Sequence, residues 1–259
     1  MRGSTDADAG ERGSGSRDRA VSDVLGFVLI FSLVLTSTVV VVVAGIGGLE
    51  DAREAERVSN AERAVDVLAD NIDDLAVRRA PARGTEFSLS SGTLTFGAET
   101  RMSVLVWRDG SQRLVAEATM EPVVYDFGDE RVVYEGTAVF RESSGGAAVV
   151  RRPRLSADDE AAVVTLVGTE GFGASRGGQG RVLVRTLVDD RDARTVRGVT
   201  NATVRVRTTE SRAPAWLRAL EATTPGDDAC SLDVDTVECV VETETVTVTE
   251  TTVDVRYEA

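Results

Sequence analysis

The sequence contains no His and no Lys, so all 29 of its basic residues are Arg. Without an imidazole, the chain can build neither a Ser-His-Asp set, nor a Cys-His set, nor an HExxH zinc site. Without Lys, a Walker A phosphate loop and Schiff-base chemistry are also excluded. The two Cys are too few for a Cys₄ metal cluster. We therefore expect a protein that is not an enzyme, with no catalytic, cofactor-binding or metal-binding residues.

Basic charge and aromatic side chains are also scarce. The chain has 43 acidic residues against 29 basic ones, a net charge of −14, and aromatics make up only 5% of it. Nucleic-acid binding needs basic patches and aromatic stacking surfaces, so no nucleic-acid partner is expected. An acidic, Arg-rich and Lys-free surface is typical of proteins that stay soluble in concentrated salt. A GC-rich genome, which favours Arg codons over Lys codons, is the alternative explanation.

A long uncharged segment lies near the N-terminus. Val24–Leu49 is a run of 26 residues without a charge, which is long enough to cross a bilayer. Secretory signals have an apolar core of about 7–15 residues, so we predict a retained transmembrane helix over 21–49; cleavage after Ala44 is the alternative. Ala44 and Gly48 lie four residues apart, which would let a second helix approach closely, or would simply form a flexible exit from the membrane.

The residues before this run carry the most specific motif. Residues 1–18 are polar and rich in Gly and Ser, and RAVSDVLGF follows at 19–27, directly before the apolar stretch. This arrangement resembles the N-terminal signal of archaeal type IV pilins and archaellins, and most closely that of haloarchaeal pilin-like proteins of unassigned function. The resemblance covers residues 19–79.

The resemblance implies processing by a prepilin peptidase between Ala20 and Val21, with Arg19 and Ala20 as the last residues of a disordered leader, 1–20. The apolar helix is kept, so that it first anchors the subunit and then packs into a filament. The expected partners are the membrane, the peptidase and other pilin subunits that contact Val24–Leu49.

The same resemblance gives the topology: a single-pass protein of the cell membrane, with its N-terminus cytoplasmic and its C-terminal domain extracellular or in a pilus. Arg residues do not decide the orientation, because three lie within 15 residues on each side of the apolar run.

Residues 50–80 are predicted to continue the span as an amphipathic helix that ends at Ala80-Pro81, since the residue before Pro disfavours helix. Apolar residues recur at spacings of three and four, which is the pattern of one helix face. They are Val58, Ala61, Val65, Leu68, Ile72 and Leu75. This stripe either covers a downstream sheet, forms a coiled coil with a neighbour, or belongs to a detached stalk.

From Phe87 onward the apolar pattern changes to a period of two. Short runs rich in Val, Thr and aromatics, separated by turn residues, predict an antiparallel all-β sandwich-like or barrel-like head over 85–259. Ala213–Leu220, with Pro214 in its first turn, predicts one short helix that docks through Trp216, Leu217 and Leu220; a Trp binding platform is the alternative. The predicted fold class is therefore α+β.

Several local motifs remain in the head. Residues 168–180 contain six Gly and predict a mobile surface loop. Cys230 and Cys239 are nine residues apart across a predicted turn, which favours a disulfide outside the cell; free buried thiols are the alternative. Asn201-Ala202-Thr203 is the single N-glycosylation sequon. Four clusters of carboxylates match no EF-hand loop and are interpreted as a solvated acidic surface. They are Asp158–Glu160, Asp189–Asp190, Asp227–Asp228 and Asp233/Asp235/Glu238.

We accordingly expect a membrane-anchored type IV pilin-like surface protein, and specifically a minor pilus subunit. The alternative is an unprocessed, membrane-tethered extracellular module for binding or adhesion. A third hypothesis, an anchored hydrolase that uses two carboxylates in a cleft, would need an acid with a raised pKa in that cleft.

Overall fold

The computed structural model describes residues 15–224, 226 and 229–258, and the side chains of these residues apart from 15–23, 45, 47–51, 54, 90 and 91. The chain divides between Glu56 and Arg57 into two compact units. The first unit contains an apolar helical segment, and the second contains the end of that helix and a sheet. The fold is α+β, as predicted.

The first helix, α1, covers Gly15–Ala76 and so begins six residues before the predicted start of the membrane helix at Val21. Its segment Val24–Ala44 has a mean hydropathy of 2.8, and none of it is buried within the chain. One helix of the described residues is thus long and apolar enough to be a membrane span or a signal sequence.

The last turns of α1 pack on the sheet within the second unit. Five residues of the predicted stripe are fully buried with side chains of the strands described below, whereas Val58 is half-buried. The buried five are Ala61, Val65, Leu68, Ile72 and Leu75. Of the three interpretations of the stripe, the structure shows the first, a helix that covers the sheet.

The C-terminus of α1 lies at Ala76, a few residues before the predicted end at Ala80. The chain leaves the helix through Arg79, whose φ of 61° is left-handed, a conformation that commonly ends helices. The side chain of Arg191 donates a hydrogen bond to the carbonyl oxygen of Leu75. That bond satisfies one of the carbonyls that a helix end leaves without an intrahelical partner.

The described part of the second unit contains one more α-helix, α2 (Ala213–Glu221), and fourteen strands. The strands are β1 (Ala82–Phe96), β2 (Thr100–Arg108), β3 (Ser111–Met120), β4 (Val123–Asp126), β5 (Arg131–Glu135), β6 (Ala138–Ser143), β7 (Gly146–Arg151), β8 (Leu155–Ala157), β9 (Ala161–Phe172), β10 (Arg176–Arg197), β11 (Asn201–Arg207), β12 (Cys230–Asp233), β13 (Thr236–Glu242) and β14 (Thr245–Glu258).

All fourteen strands belong to one sheet. Thirteen follow the order β12-β13-β11-β2-β3-β9-β14-β10-β1-β4-β5-β6-β7, and β8 pairs with β9 beside this path. Seven strands separate β2 from β6 in this order, yet Met102 of β2 and Phe140 of β6 belong to the same buried cluster. The sheet therefore curls back on itself as a half-barrel. A sandwich of two separate sheets is not confirmed.

The prediction of a fully antiparallel head was wrong in its centre. β14 pairs with β9 in parallel over twelve residue pairs, from Thr245 opposite Ala161 to Arg256 opposite Phe172. Parallel neighbours need a long crossover connection, and the chain between Phe172 and Thr245 supplies one, because it forms β10 to β13 and α2 on the way.

The Gly-rich stretch 168–180 was also predicted wrongly, because most of it is strand. β9 extends to Phe172 and β10 starts at Arg176, so only a short turn lies between them. Two of the Gly are required by close approach. A Cβ on Gly171 would lie 2.5 Å from the Phe96 ring, and one on Gly177 would lie 2.8 Å from Oγ1 of Thr93.

Two buried clusters lie on opposite faces of the central strands. On β14, Val246 and Val248 belong to the cluster that α2 covers, whereas Val253 and Val255 belong to the cluster that α1 covers. Side chains alternate between the two faces of a strand, so the even-numbered Val246 and Val248 lie on one face of β14 and the odd-numbered Val253 and Val255 lie on the other. β14 is therefore covered on one face near its start and on the opposite face near its end. The sheet thus has a core on each side.

Candidate functional site

The exposed apolar segment of α1 is the candidate membrane site. Its 21 residues, Val24–Ala44, correspond to about 31 Å of helix at 1.5 Å per residue, close to the thickness of a bilayer core. The hydroxyls of Ser37 and Thr38 donate to the carbonyl oxygen of Val34, at 2.9 and 2.8 Å. These polar groups are therefore satisfied within the helix and do not oppose an apolar environment.

The predicted processing residues lie just before this segment. The backbone of Arg19, Ala20 and Val21 belongs to α1, whereas their side chains lie outside the described residues. Residues 1–14 of the predicted leader also lie outside the described residues. Of Gly48, which was predicted to let a second helix approach, only the backbone is described.

An ion cluster that the sequence did not predict holds the end of α1 on the sheet. Oδ2 of Asp73 lies 2.7 Å from Nη2 of Arg151 and 2.7 Å from Nε of Arg154. Nη1 of Arg151 also lies 2.9 Å from Asp66 and 2.8 Å from Asp70, both on α1. Burial lowers the pKa of Arg151, but its hydrogen bonds to Asp70 and Asp66 and the charge of Asp73 outweigh that effect and raise the pKa overall.

A second, more deeply buried ion cluster joins β5, β6 and the start of α2. The carboxylate of Glu135, fully buried, lies 2.9 Å from Nε of Arg212, and Nη1 of Arg212 lies 3.1 Å from Glu142. Glu135 also accepts hydrogen bonds from the hydroxyl of Thr208 and the indole N–H of Trp216, each at 2.9 Å. Trp216 is fully buried, so it is a core residue and not a binding platform.

Cys230 and Cys239 lie directly opposite each other on β12 and β13 and are joined by a disulfide, with 4.0 Å between their Cα atoms. Cys239 is fully buried in the cluster that α2 covers. The bond fastens the short edge strand β12 to the rest of the sheet.

Asn201 is the first residue of β11, opposite Trp107 of β2 on one side and Glu242 of β13 on the other. Its side chain is half-buried and makes no hydrogen bond within the described part of the chain.

The acidic clusters mostly form local contacts. Asp158 accepts hydrogen bonds from the backbone N–H groups of Glu160 and Ala161, which forms a turn. Asp235 pairs with Arg207, and Glu238 pairs with Arg205. Asp227 and Asp228 lie outside the described residues. Among the side chains that the structure describes, no group of three or more Cys, Asp or Glu is placed to hold a metal ion.

Clefts open on the head at several places. One cleft of about 460 Å³ lies between α2 and β7, and another of about 320 Å³ has the hydroxyls of Ser143, Ser144 and Ser211 beside Glu142. The pKa of the Glu250 carboxyl is raised, mainly by burial, and the charges of neighbouring Asp192 and Asp190 add to this effect. Glu250 lines neither of these two clefts.

Comparison with curated proteins found no match, and comparison with solved structures found none either. A model described as a family of unknown function, DUF7289, matches residues 19–256. That match includes both the apolar helix and the β-rich head. The chain therefore belongs to the DUF7289 family.

Proposed function

We propose that this protein is a type IV pilin-like surface protein, anchored in the membrane by Val24–Leu49 and processed by a prepilin peptidase between Ala20 and Val21. In this proposal the N-terminus is cytoplasmic, the head is extracellular, and the protein serves as a minor pilus subunit. The finer assignment to a halophilic archaeon rests on the resemblance of residues 19–79 and on the acidic, Lys-free composition.

The observation that carries the proposal is the contrast within α1. Leu29, Leu33 and Val41 are 69 to 71% exposed, whereas the stripe from Ala61 to Leu75 is buried on the head. An apolar surface of this size is unfavourable in water. It is stable in a lipid bilayer, or against the same segment of other subunits.

The extent of the family match also supports a retained helix. It begins at Arg19, so it excludes residues 1–18 and includes the apolar segment together with the head. The proposed mature chain, which starts at Val21, lies within the matched residues except for its last three residues.

The proposal is tested by the N-terminus of the mature protein. We would isolate host membranes with and without active prepilin peptidase and determine the terminal peptide by mass spectrometry. A start at Val21 that depends on the peptidase is expected. Ala20→Phe should block processing, and Ala7→Phe in the same tail should not. An intact start at Met1 or Arg2 would overturn the proposal, as would a start near Gly45.

The second candidate is a membrane-tethered binding module that is not processed. The exposed Trp107 and Leu114, at 42 and 58%, favour it, because exposed apolar groups on one sheet face are typical of interaction surfaces. The Ala20→Phe variant separates the two functions: a tethered module would keep its surface binding, whereas a pilus subunit would no longer enter filaments.

A further inference from the structure

The outer face of the β2–β11 region carries an exposed Trp. Trp107 is 42% exposed, whereas its neighbour Val106 is buried in the cluster that α2 covers. Because consecutive side chains point to opposite faces of a strand, the indole of Trp107 lies on the face away from that core. The other Trp of the chain, Trp216, is fully buried.

Asn201 shares this outer face. Its neighbour Ala202 is buried in the same cluster as Val106, and Asn201 is the register partner of Trp107. Residues directly opposite each other in an antiparallel pair have Cβ atoms about 4.5–5.5 Å apart. The free amide of the single sequon therefore lies beside the exposed indole.

Two further apolar side chains are exposed near this pair. Two residues along the strands from Trp107 and Asn201, the same face carries Leu105 of β2 beside Thr203 of β11. Leu114 of β3 and Val240 of β13 flank this pair and are 58 and 42% exposed. Leu114 and Val240 thus lie at the two ends of a strip whose middle residues, Leu105 and Thr203, are half-buried and buried. A group attached at Asn201 would lie within reach of this strip.

We propose that Asn201 carries an N-linked glycan whose first sugars lie against the indole of Trp107. Pyranose rings have one face made largely of C–H groups, which packs on the broad apolar surface of an indole while the hydroxyls stay in water. The inference depends on the extracellular head of the proposed function, because glycan transfer takes place on that side of the membrane.

The transfer requires a sugar donor, an oligosaccharide linked through a phosphate to a polyprenyl lipid. The amide nitrogen of Asn201 forms a bond to the anomeric carbon of the first sugar, and the bond from that carbon to the phosphate oxygen breaks. The amide loses one proton, and the released lipid phosphate takes it up. No oxidation or reduction is involved.

The burial of Thr203 adds a condition on the order of glycan transfer and folding. Thr203, whose hydroxyl a sequon needs, is only 3% exposed, and β11 is paired along its length with β2 and β13. The folded sheet therefore shields the sequon. Transfer must precede the pairing of β11, so folded and unmodified protein is not a substrate.

The first test is the mass of the peptide that contains Asn201, from full-length protein purified out of host membranes. Cleavage after Arg197 and Arg205 releases residues 198–205. We expect this peptide to be heavier by a series of sugar masses. Thr203→Val should abolish the added mass, and Thr203→Ser, which preserves the sequon, should retain it. An unmodified wild-type peptide would overturn the inference and leave the face bare for a binding partner.

The second test asks whether the glycan covers Trp107. Acrylamide quenching reports mainly on this indole, because Trp216 is buried. We expect Asn201→Gln to increase the quenching constant by about twofold, since it uncovers the indole. In a Trp107→Phe background the same substitution should change nothing. Equal quenching of glycosylated protein and the Asn201→Gln variant would overturn the stacking arrangement.

The same digest reports the N-terminus, so the two proposals fail separately. A start at Val21 with an unmodified Asn201 contradicts only the glycan. A modified Asn201 with an unprocessed N-terminus supports the glycan and contradicts only the pilin pathway.

Discussion

Arg151 of β7 reaches Asp73 near the end of α1, with 2.7 Å between Nη2 and Oδ2. The residues are 78 positions apart in sequence. Asp73 is 5% exposed, and its Oδ1 has no hydrogen-bond partner within the described residues. A buried carboxylate is costly unless it is paired, so this contact fixes the position at which α1 lies on the head.

We therefore expect Arg151→Ala to destabilise the head. Arg154 would remain as the single strong partner of Asp73, so the loss should be about 2–3 kcal/mol, somewhat below the usual effect of removing one partner of a buried pair. Urea unfolding of the full chain in detergent measures it. Arg152→Ala is the matched control, because Arg152 is exposed and forms no ion pair in the described structure; it should cost about 0.5 kcal/mol or less. Equal effects of the two variants would contradict the assigned role of Arg151.

Arg212→Met should have a larger effect. It leaves Glu135 and Glu142 together in the core, 0 and 6% exposed, without the cation between them. Removing one partner of a buried ion pair costs about 3–5 kcal/mol.

The control for this substitution is Arg207→Met. Arg207 pairs with Asp235, but its side chain is 73% exposed, and an exposed pair contributes about 0–1 kcal/mol. Thermal unfolding followed by near-UV circular dichroism compares the two variants through the buried Trp216. A loss for Arg212→Met no greater than that for Arg207→Met would show that the buried cluster does not support the core.

The sequence predicted the elements that local patterns specify. The stripe through Leu68 and Ile72 predicted an amphipathic helix, for which covering a sheet was one of three interpretations, and Pro214 with Trp216 predicted α2. These predictions succeeded because a period of 3.6 and a helix start are encoded by residues close in sequence.

Strand partners and buried charges could not be predicted in this way. A period of two shows that β9 and β14 are strands, but it does not show that they pair in parallel. Gly171 and Gly177 look like loop residues until Phe96 and Thr93 are placed against them. Glu135 follows Val132–Tyr134 in an apolar run, which was the one local sign that it would be buried.

Glu250 should make stability depend on pH in an unusual direction. Burial, with the charges of Asp192 and Asp190, raises its pKa in the folded state. A group with a raised folded pKa contributes stability below its unfolded pKa, and that contribution is lost as the pH rises through the folded value. Glu250→Gln should therefore raise the melting temperature at pH 7, and the gain should disappear below about pH 4, the ordinary range of Glu.

The control for Glu250 must remove the same charge from a surface site, because a net charge of −14 is itself destabilising. Glu244 is exposed and forms no ion pair in the described structure, so Glu244→Gln serves this purpose. Melting curves of both variants between pH 3 and pH 8, at constant salt, give the comparison. A gain for Glu250→Gln that matched that of Glu244→Gln at every pH would assign the effect to net charge alone.

Leu68→Ala tests whether the stripe of α1 belongs to the subunit or to a contact between subunits. Leu68 is fully buried on the sheet, whereas its neighbour Val67 is 50% exposed. Removing a buried Leu side chain costs about 2–5 kcal/mol, and Val67→Ala should cost about 0.5 kcal/mol or less. Unfolding of the full chain should show this difference at every protein concentration, because the stripe is covered by the same chain. If the stripe instead formed a coiled coil with a neighbour, Leu68→Ala would shift the oligomeric state seen by sedimentation, and its effect on stability would grow with protein concentration.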